Sequence, residues 1–509
     1  MHFFPRKRSS FQPLVLLAVA VFPGWSAVSA IAQNAGEYRQ LPVDDSLRTE
    51  SSRVRNILRN GKVVGADKDI LDNYYNKYGF ARWSLPENFS KLPSLRKELL
   101  VTEFRTAKDE AREYLNAFCL DFFDKMAGVD VHPAARYNAM LVIANLNAKD
   151  PDFRDDAVPL EAALPVLLKA MQDENQIDAV KVAALRGIWR HAALGIPNEQ
   201  NRDNVIALTG QLAAARSAPG RTAAGHAWMR RRAIEILGTL GVPGEDSETA
   251  RLLAEIISQE SNPLSVRLAA ADALGRLRAT DETSIDTNST AVSLGKLALQ
   301  VCKDFSDEMQ AEIDRRRRER MMGFPGGGGA MGAGMPGMGP GAMGLGAMGP
   351  GMEGGPMEMM GPGAMGPGGM GPGGMGQAGQ RPRAEQDDGG IRRRLKAHLL
   401  DIQTGLAGPG GENPRGLTRM AKEDDAKKLV SSILGPIQNW LGMLEERDLE
   451  DEKLVAALER SLNTYRNLLR EAAPTAPPPA APATPEAEPA EAETATRPGG
   501  VEPAQGPEA

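Results

Sequence analysis

Cysteine is nearly absent. The 509-residue chain has two, Cys119 and Cys302. That excludes a disulfide-stapled scaffold and, with no C-x-x-C pair, a thiolate zinc site. Each cysteine lies on the apolar stripe of an expected helix, beside Phe118 or Val301, where a thiol behaves as a small hydrophobe. Two buried free thiols are therefore expected. Histidine is also rare: His2, His132, His191, His226 and His398. None stands in H-E-x-x-H or H-x-H, no His-Glu dipeptide occurs, and no G-x-S-x-G is present. The chain thus shows no catalytic constellation, and neither an enzymatic activity nor a cofactor is expected. Net charge is −6, so nothing argues for nucleic acid as a partner. Aromatics are only 5% of residues, and Gly and Pro crowd into two tracts, so much of the chain cannot bury a core.

Residues 1–32 have the pattern of an export signal: Arg6, Lys7 and Arg8, an apolar run from Pro13 to Phe22, a break at Pro23-Gly24, and a small-residue cleavage site at Ala30-Ile31-Ala32. Val28-Ser29-Ala30 is a second choice of site. A mature chain starting near Gln33, outside the cytoplasm (periplasm, cell envelope or secreted), is expected. The apolar run is short for a membrane span, and no later segment reads as one.

What is present in strength is a repeat. Four segments align by hand: AARYNAMLVIANLN, VKVAALRGIWRHAA, MRRRAIEILGTLG and VRLAAADALGRLR. Taking Arg136, Lys181, Arg230 and Arg267 as offset zero, offset three is always alanine (Ala139, Ala184, Ala233, Ala270). Offset four carries Met140, Leu185, Ile234 and Ala271. Offset seven is always a large aliphatic (Ile143, Ile188, Leu237, Leu274). Offsets of three, four and seven share one face of an α-helix, so each segment is an amphipathic helix. The repeated alanine suits a tight helix crossing. The last three are preceded by LEAALPVLLKAM, NVIALTGQLAAA and TARLLAEIISQ, so the unit is two helices, recurring at 45, 49 and 37 residues.

This period, and the V-R-x-x-A-x-x-A-L-G-x-L pattern clearest at Val266 to Leu277, resemble the HEAT-repeat (armadillo-like) family. Trp189 and His191 depart from the pattern. The resemblance covers under a third of the chain. It implies an all-α fold, an α-solenoid of HEAT-like hairpins with an N-terminal helical cap; the long low-complexity segments are expected from their composition to be disordered. It says little of function, because solenoids host many roles.

The expected organisation is a signal at 1–32, a cap at 33–127 and a repeat array at 128–322. A Gly/Met/Pro-rich insert follows at 323–390, then a helical segment at 391–472 and an acidic Pro/Ala/Glu-rich tail at 473–509. In the cap, one helix is expected from Ser94 to about Ala127, with a stripe of Leu95, Leu99, Ala107, Ala111, Tyr114, Phe118 and Phe122. Tyr74, Tyr75, Tyr78, Phe80, Trp83 and Phe89 suit either a stacking platform for sugar or peptide or, more simply, a cover for the open first repeat. Beyond the array, a helix beginning after Asn288-Ser289 should end in the basic run Arg315 to Arg318, solvated and offset by nearby carboxylates. In the C-terminal segment, stripes led by Ile391, Leu429 and Leu454 predict three helices, the second kinked at Gly435-Pro436.

Two candidate binding features emerge. Offsets two, five and nine of the second helices lie opposite the alanine face: Asn138, Leu141, Asn145; Ala183, Arg186, Arg190; Arg232, Glu235, Thr239; Ala269, Asp272, Arg276. If that stripe lines a concave surface, its arginines suit another protein with an acidic or extended segment. The competing reading is an arginine–carboxylate ladder between repeats through Glu235 and Asp272. The second feature is the methionines of the insert, Met357, Met359, Met360, Met365, Met370 and Met375, soft thioethers that could hold Cu(I) or Ag(I). The match of Gly344 to Gly349 to G-x-G-x-x-G carries nothing, since no strand precedes it.

Overall fold

A computed structural model describes residues 38–217, 220–322, 388–410, 415–446 and 448–472. The described residues are 76% helical and 1% strand, consistent with an all-α fold. The signal segment, the Met-rich tract with all six candidate methionines, and the acidic tail lie outside the described residues.

The N-terminal helices are α1 (Ser51–Asn60), α2 (Ala66–Tyr74), α3 (Leu92–Lys97) and α4 (Asp109–Met126). Two π turns interrupt them, Tyr75–Gly79 and Glu98–Glu103. The single helix expected from Ser94 is therefore not formed. The chain turns extended at Ala107 and Lys108, and Asp109 takes a positive φ of 43°. The reason lies at the end of α1. The Lys108 and Ala111 N–H groups donate to the carbonyls of Leu58 (3.1 Å) and Gly61 (3.1 Å), which a helix terminus leaves without partners. The break rotates the buried stripe of α4 to Ala111, Leu115, Cys119, Phe123 and Met126, leaving Tyr114, Phe118 and Phe122 half-buried.

Next come α5 (Pro133–Ile143), α6 (Ala163–Gln172), α7 (Asp178–Leu194), α8 (Glu199–Ala214), α9 (Ala223–Leu240), α10 (Glu248–Ser258) and α11 (Leu264–Arg276). Their boundaries have local causes. Asn198 and Thr222 cap α8 and α9 by accepting from the backbone N–H of Asn201 and Gly225, and Gly241 ends α9 in the left-handed conformation. A short antiparallel ribbon, β1 (Asn147–Lys149) with β2 (Val158–Pro159), bridges α5 and α6. No strand was expected there. It is anchored by the Asn116 amide on the Asn147 carbonyl (2.9 Å) and by Arg112 on Asp150 (2.8 Å).

The last group is α12 (Thr287–Met322), α13 (Asp388–Ala407), α14 (Gly416–Met420), α15 (Asp424–Glu445) and α16 (Asp451–Ala472). α15 is helical through Pro436. The basic run at the end of α12 is paired as expected, but partly by the neighbouring helix: Arg315 meets Glu312 and Glu319, while Arg316 and Arg317 reach Asp451 and Glu452 of α16.

Helices pair in sequence order, α6 with α7, α8 with α9, α10 with α11, α12 with α13. The second members stack in one row, α5 on α7, α7 on α9, α9 on α11, α11 on α13. Offsets three, four and seven are buried in all four repeats, as the sequence phase requires. The array does not stop at 322, however. α13 packs on both α11 and α12, so it is the next member of the row, and the Met-rich tract connects two helices that touch. α15 and α16 then close the end against α12 and α13, burying Trp440 and Tyr465.

Close backbone approaches in the row occur at glycine. A Cβ on Gly238 would stand 2.8 Å from Ala273 of α11, and one on Gly275 would stand 1.8 Å from the Thr404 carbonyl oxygen of α13. These are the glycines of the A-L-G-x-L signature or its equivalent, where the missing side chain lets two backbones meet. The offset-zero arginines bind the rows together. Arg230 donates to the Ala213 carbonyl (2.8 Å) and Asn262 (2.9 Å). Arg267 donates to the Ile257 carbonyl (3.0 Å) and Gln300 (2.9 Å). Each satisfies a carbonyl at the C-terminal end of the preceding helix and an amide of the next repeat. Arg136 bonds to Gln176, and it is the Gln176 amide that meets the Ala127 carbonyl after α4. Lys181 departs from this. There, Arg221 makes the tie, forking onto Asp178 at 2.6 and 2.9 Å.

Candidate interaction face

The open side of the row carries the candidate residues, but not in the expected stripe. Offset two is buried in three repeats, at Asn138, Ala183 and Ala269, and Leu141 is buried at offset five. The exposed positions are instead Arg186, Trp189, Arg231, Thr239 and Arg276, with Arg190, Arg232, Glu235 and Asp272 half-buried. Asn138 instead accepts a hydrogen bond from Arg96 of α3.

Of the six named candidates, Arg186 is exposed and forms no ion pair among the described residues. Arg190 is half-buried and turned to the ribbon, donating to Asn147 and to the Leu146 carbonyl. Arg232 pairs with Glu235 at 2.7 Å, and Arg231 with the same carboxylate at 2.8 Å. Arg276 pairs with Asp272 at 2.7 Å. All three pairs lie within one helix, so Glu235 and Asp272 do not form the ladder between repeats.

Two residues that the offset stripe left out define the face. Trp189 of α7 and Trp228 of α9 remain 39% and 40% exposed, and the Arg232 guanidinium lies over both rings, 5.7 and 5.4 Å from their centroids. Cation–π contact holds the guanidinium between them while leaving outer ring surface open to solvent. The available signal was a tryptophan at a position of an amphipathic helix that the apolar phase does not bury. Trp189 breaks the repeat pattern for that reason.

Asp401 of α13 has its carboxyl pKa raised to about 7, first by burial, then by Asp272, against the opposing pull of Arg231 and Arg276. His398, one turn earlier, is lowered by burial and by Arg394 and Arg231. The remaining described histidines are structural. His132 caps α5 and stacks on Phe89 (4.0 Å), His191 is buried with its pKa lowered to about 4 by burial, and His226 contacts the Ala215 carbonyl.

Cys119 and Cys302 are free, buried and in different apolar clusters, and burial raises both thiols. The N-terminal rings are packed on one another: Phe80 meets Tyr75, Phe118, Phe122 and Phe123 at 4.6–5.9 Å, and Trp83 is 1% exposed. They offer no open stacking platform. Among the described residues, no group of three or more His, Cys, Asp or Glu could hold a metal ion, and no helix is long and apolar enough to cross a membrane. No family model, no curated protein and no solved structure matches this chain.

Proposed function

We propose that this chain is an exported, HEAT-like α-solenoid scaffold that binds an acidic, extended segment of another protein along the face of α7 and α9. The five-membered row α5, α7, α9, α11 and α13 supports the solenoid reading. The observation that carries the function is Arg232 held between two half-exposed tryptophans, with uncompensated Arg186 on the neighbouring helix. Tryptophan and arginine together are the residue types that anchor protein interfaces, and a guanidinium grips a carboxylate at two points. A positively charged aromatic face selects an acidic ligand over a basic one.

The test is a tryptophan-fluorescence titration with oligo-glutamate, with oligo-lysine as control. Oligo-glutamate should shift the emission and oligo-lysine should not. The variant Arg186→Glu with Arg232→Glu should lose the response while keeping its helical circular dichroism. An unchanged response in that variant would sink the proposal.

A further inference from the structure

At the N-terminal end, a cavity of about 200 Å³ opens among α1, α2 and the two π turns. Arg48, Arg55 and Arg82 surround it, Tyr74 and Tyr78 wall it, and Glu98 and Glu103 enter from the second turn. Its frame is unusual. π turns are rare and gather at functional sites, and here the first supplies Tyr78 while the second supplies both carboxylates. The Tyr75 hydroxyl donates to Glu103 Oε2 at 2.7 Å, tying one turn to the other and fixing that carboxylate in place.

The charges around the cavity are not balanced within the protein. Arg48 and Arg55 form no ion pair among the described residues. Arg82 reaches Glu98 only at 3.8 Å, and its guanidinium lies 5.2 Å from the Tyr78 centroid. Among the described residues Glu103 has no cation within ion-pairing distance, and burial raises its pKa against the Tyr75 hydrogen bond and the pull of Arg82 and Arg55. Tyr74 is pushed up to about 12 by burial and Glu103, so its hydroxyl stays a neutral donor. A carboxylate inside and two guanidiniums without a carboxylate partner at the mouth, Arg55 donating only to the Ser51 carbonyl, call for a ligand of opposite polarity at each end. The volume lies below the roughly 300 Å³ where drug-sized pockets begin, which leaves room for a single small metabolite and excludes a nucleotide.

We propose that this cavity is a binding site for a free α-amino acid, its carboxylate held by Arg48 and Arg55 and its ammonium by Glu103. The ammonium supplies the cation that Glu103 lacks, and the two guanidiniums gain the anion that neither has. Tyr74 and Tyr78 bound the space left for the side chain. The site is separate from the tryptophan–arginine face, and neither reading depends on the other.

The test is saturation-transfer NMR on the chain from Gln33 to Ala509, with a mixture of the free proteinogenic amino acids as the probe. At least one should receive saturation, and its N-acetyl derivative should not, because acetylation removes the charge that Glu103 reads. Glu103→Gln keeps an oxygen for the Tyr75 hydroxyl and should weaken binding at least about tenfold. Arg48→Ala with Arg55→Ala, at two exposed positions, should weaken it comparably and leaves the test decisive if the glutamine variant misfolds. No transfer to any free amino acid would overturn the proposal. Equal binding of the N-acetyl derivative, or undiminished binding in both variants, would do the same.

Discussion

The two apolar clusters differ in their main filling, although a close glycine contact also occurs in the first, at Gly187 of α7 on Ala144. The N-terminal one is filled by large rings, with Tyr74, Tyr75, Tyr78, Phe80, Trp83, Phe104 and Phe123 buried together. Among the described residues the C-terminal one has Phe305, Trp440 and Tyr465 as its buried aromatics, and Gly238, Gly275 and Gly405 bring helix backbones together there. Helix α9 is the shared wall, giving Met229, Ile236 and Leu240 to the first and Ala233, Ile234 and Leu237 to the second. Side-chain filling tolerates small shifts, because a ring edge can move by tenths of an ångström. Backbone contact does not, because a carbonyl moves only with its helix.

The largest expected effect breaks the aromatic side. Phe123 is fully buried and touches Phe80, Trp83 and Phe122, so Phe123→Ala should cost about 4 kcal/mol, read as a lowered urea midpoint. Next is Gly275→Ala, whose Cβ would meet the Thr404 carbonyl oxygen at 1.8 Å. It should cost about 3 kcal/mol, and a loss under about 1 kcal/mol would show that α11 and α13 can slide apart. The same change on the aromatic side sharpens the contrast. In Gly79→Ala the new Cβ meets only ring edges, Tyr75 at 3.1 Å and Tyr74 at 3.2 Å, so a cost of about 1 kcal/mol is expected. If the two glycine variants proved equal, the distinction between the clusters would fail.

The smallest effect is electrostatic and belongs to the glycine-packed side. Asp401 binds its proton more tightly when folded, its pKa rising from 3.8 to about 7. That contribution to stability is present below pH 3.8 and is lost as pH rises through about 7, because folding then requires a charged carboxylate beside Asp272. Asp401→Asn should flatten that part of the stability profile and stabilise the protein at pH 8. Urea unfolding at pH 5 and pH 8 measures it, and an unchanged slope would show that water reaches the carboxyl.

Much of the array was legible because a helix phase is a local property. Ala139, Ala184, Ala233 and Ala270, with their offset-four and offset-seven partners, were placed on a buried face by spacing alone. The face of the site was half legible. Arg186 and Arg232 were found by their phase, whereas Trp189 and Trp228 were passed over because their exposure depends on how neighbouring helices are offset along the row. Asn138 and Ala269 failed for the same reason, being covered by helices whose registration no repeat reveals. The membership of α13 was hidden by the long tract that separates it from α12, since nothing in the stripe of Leu395, Leu399 and Ile402 says which surface it meets.

The sequence by itself therefore determined the helical class, the repeat unit and the apolar phase of each second helix, because these follow from 3.6-residue periodicity. Only the tertiary structure decided where α4 begins, since that depends on the end of α1 accepting hydrogen bonds from Lys108 and Ala111. It alone decided which helices stand next to one another across the Met-rich tract. It also set Arg232 between two tryptophans from different helices and closed the N-terminal cavity between two π turns, arrangements made by residues that meet only when distant segments pack.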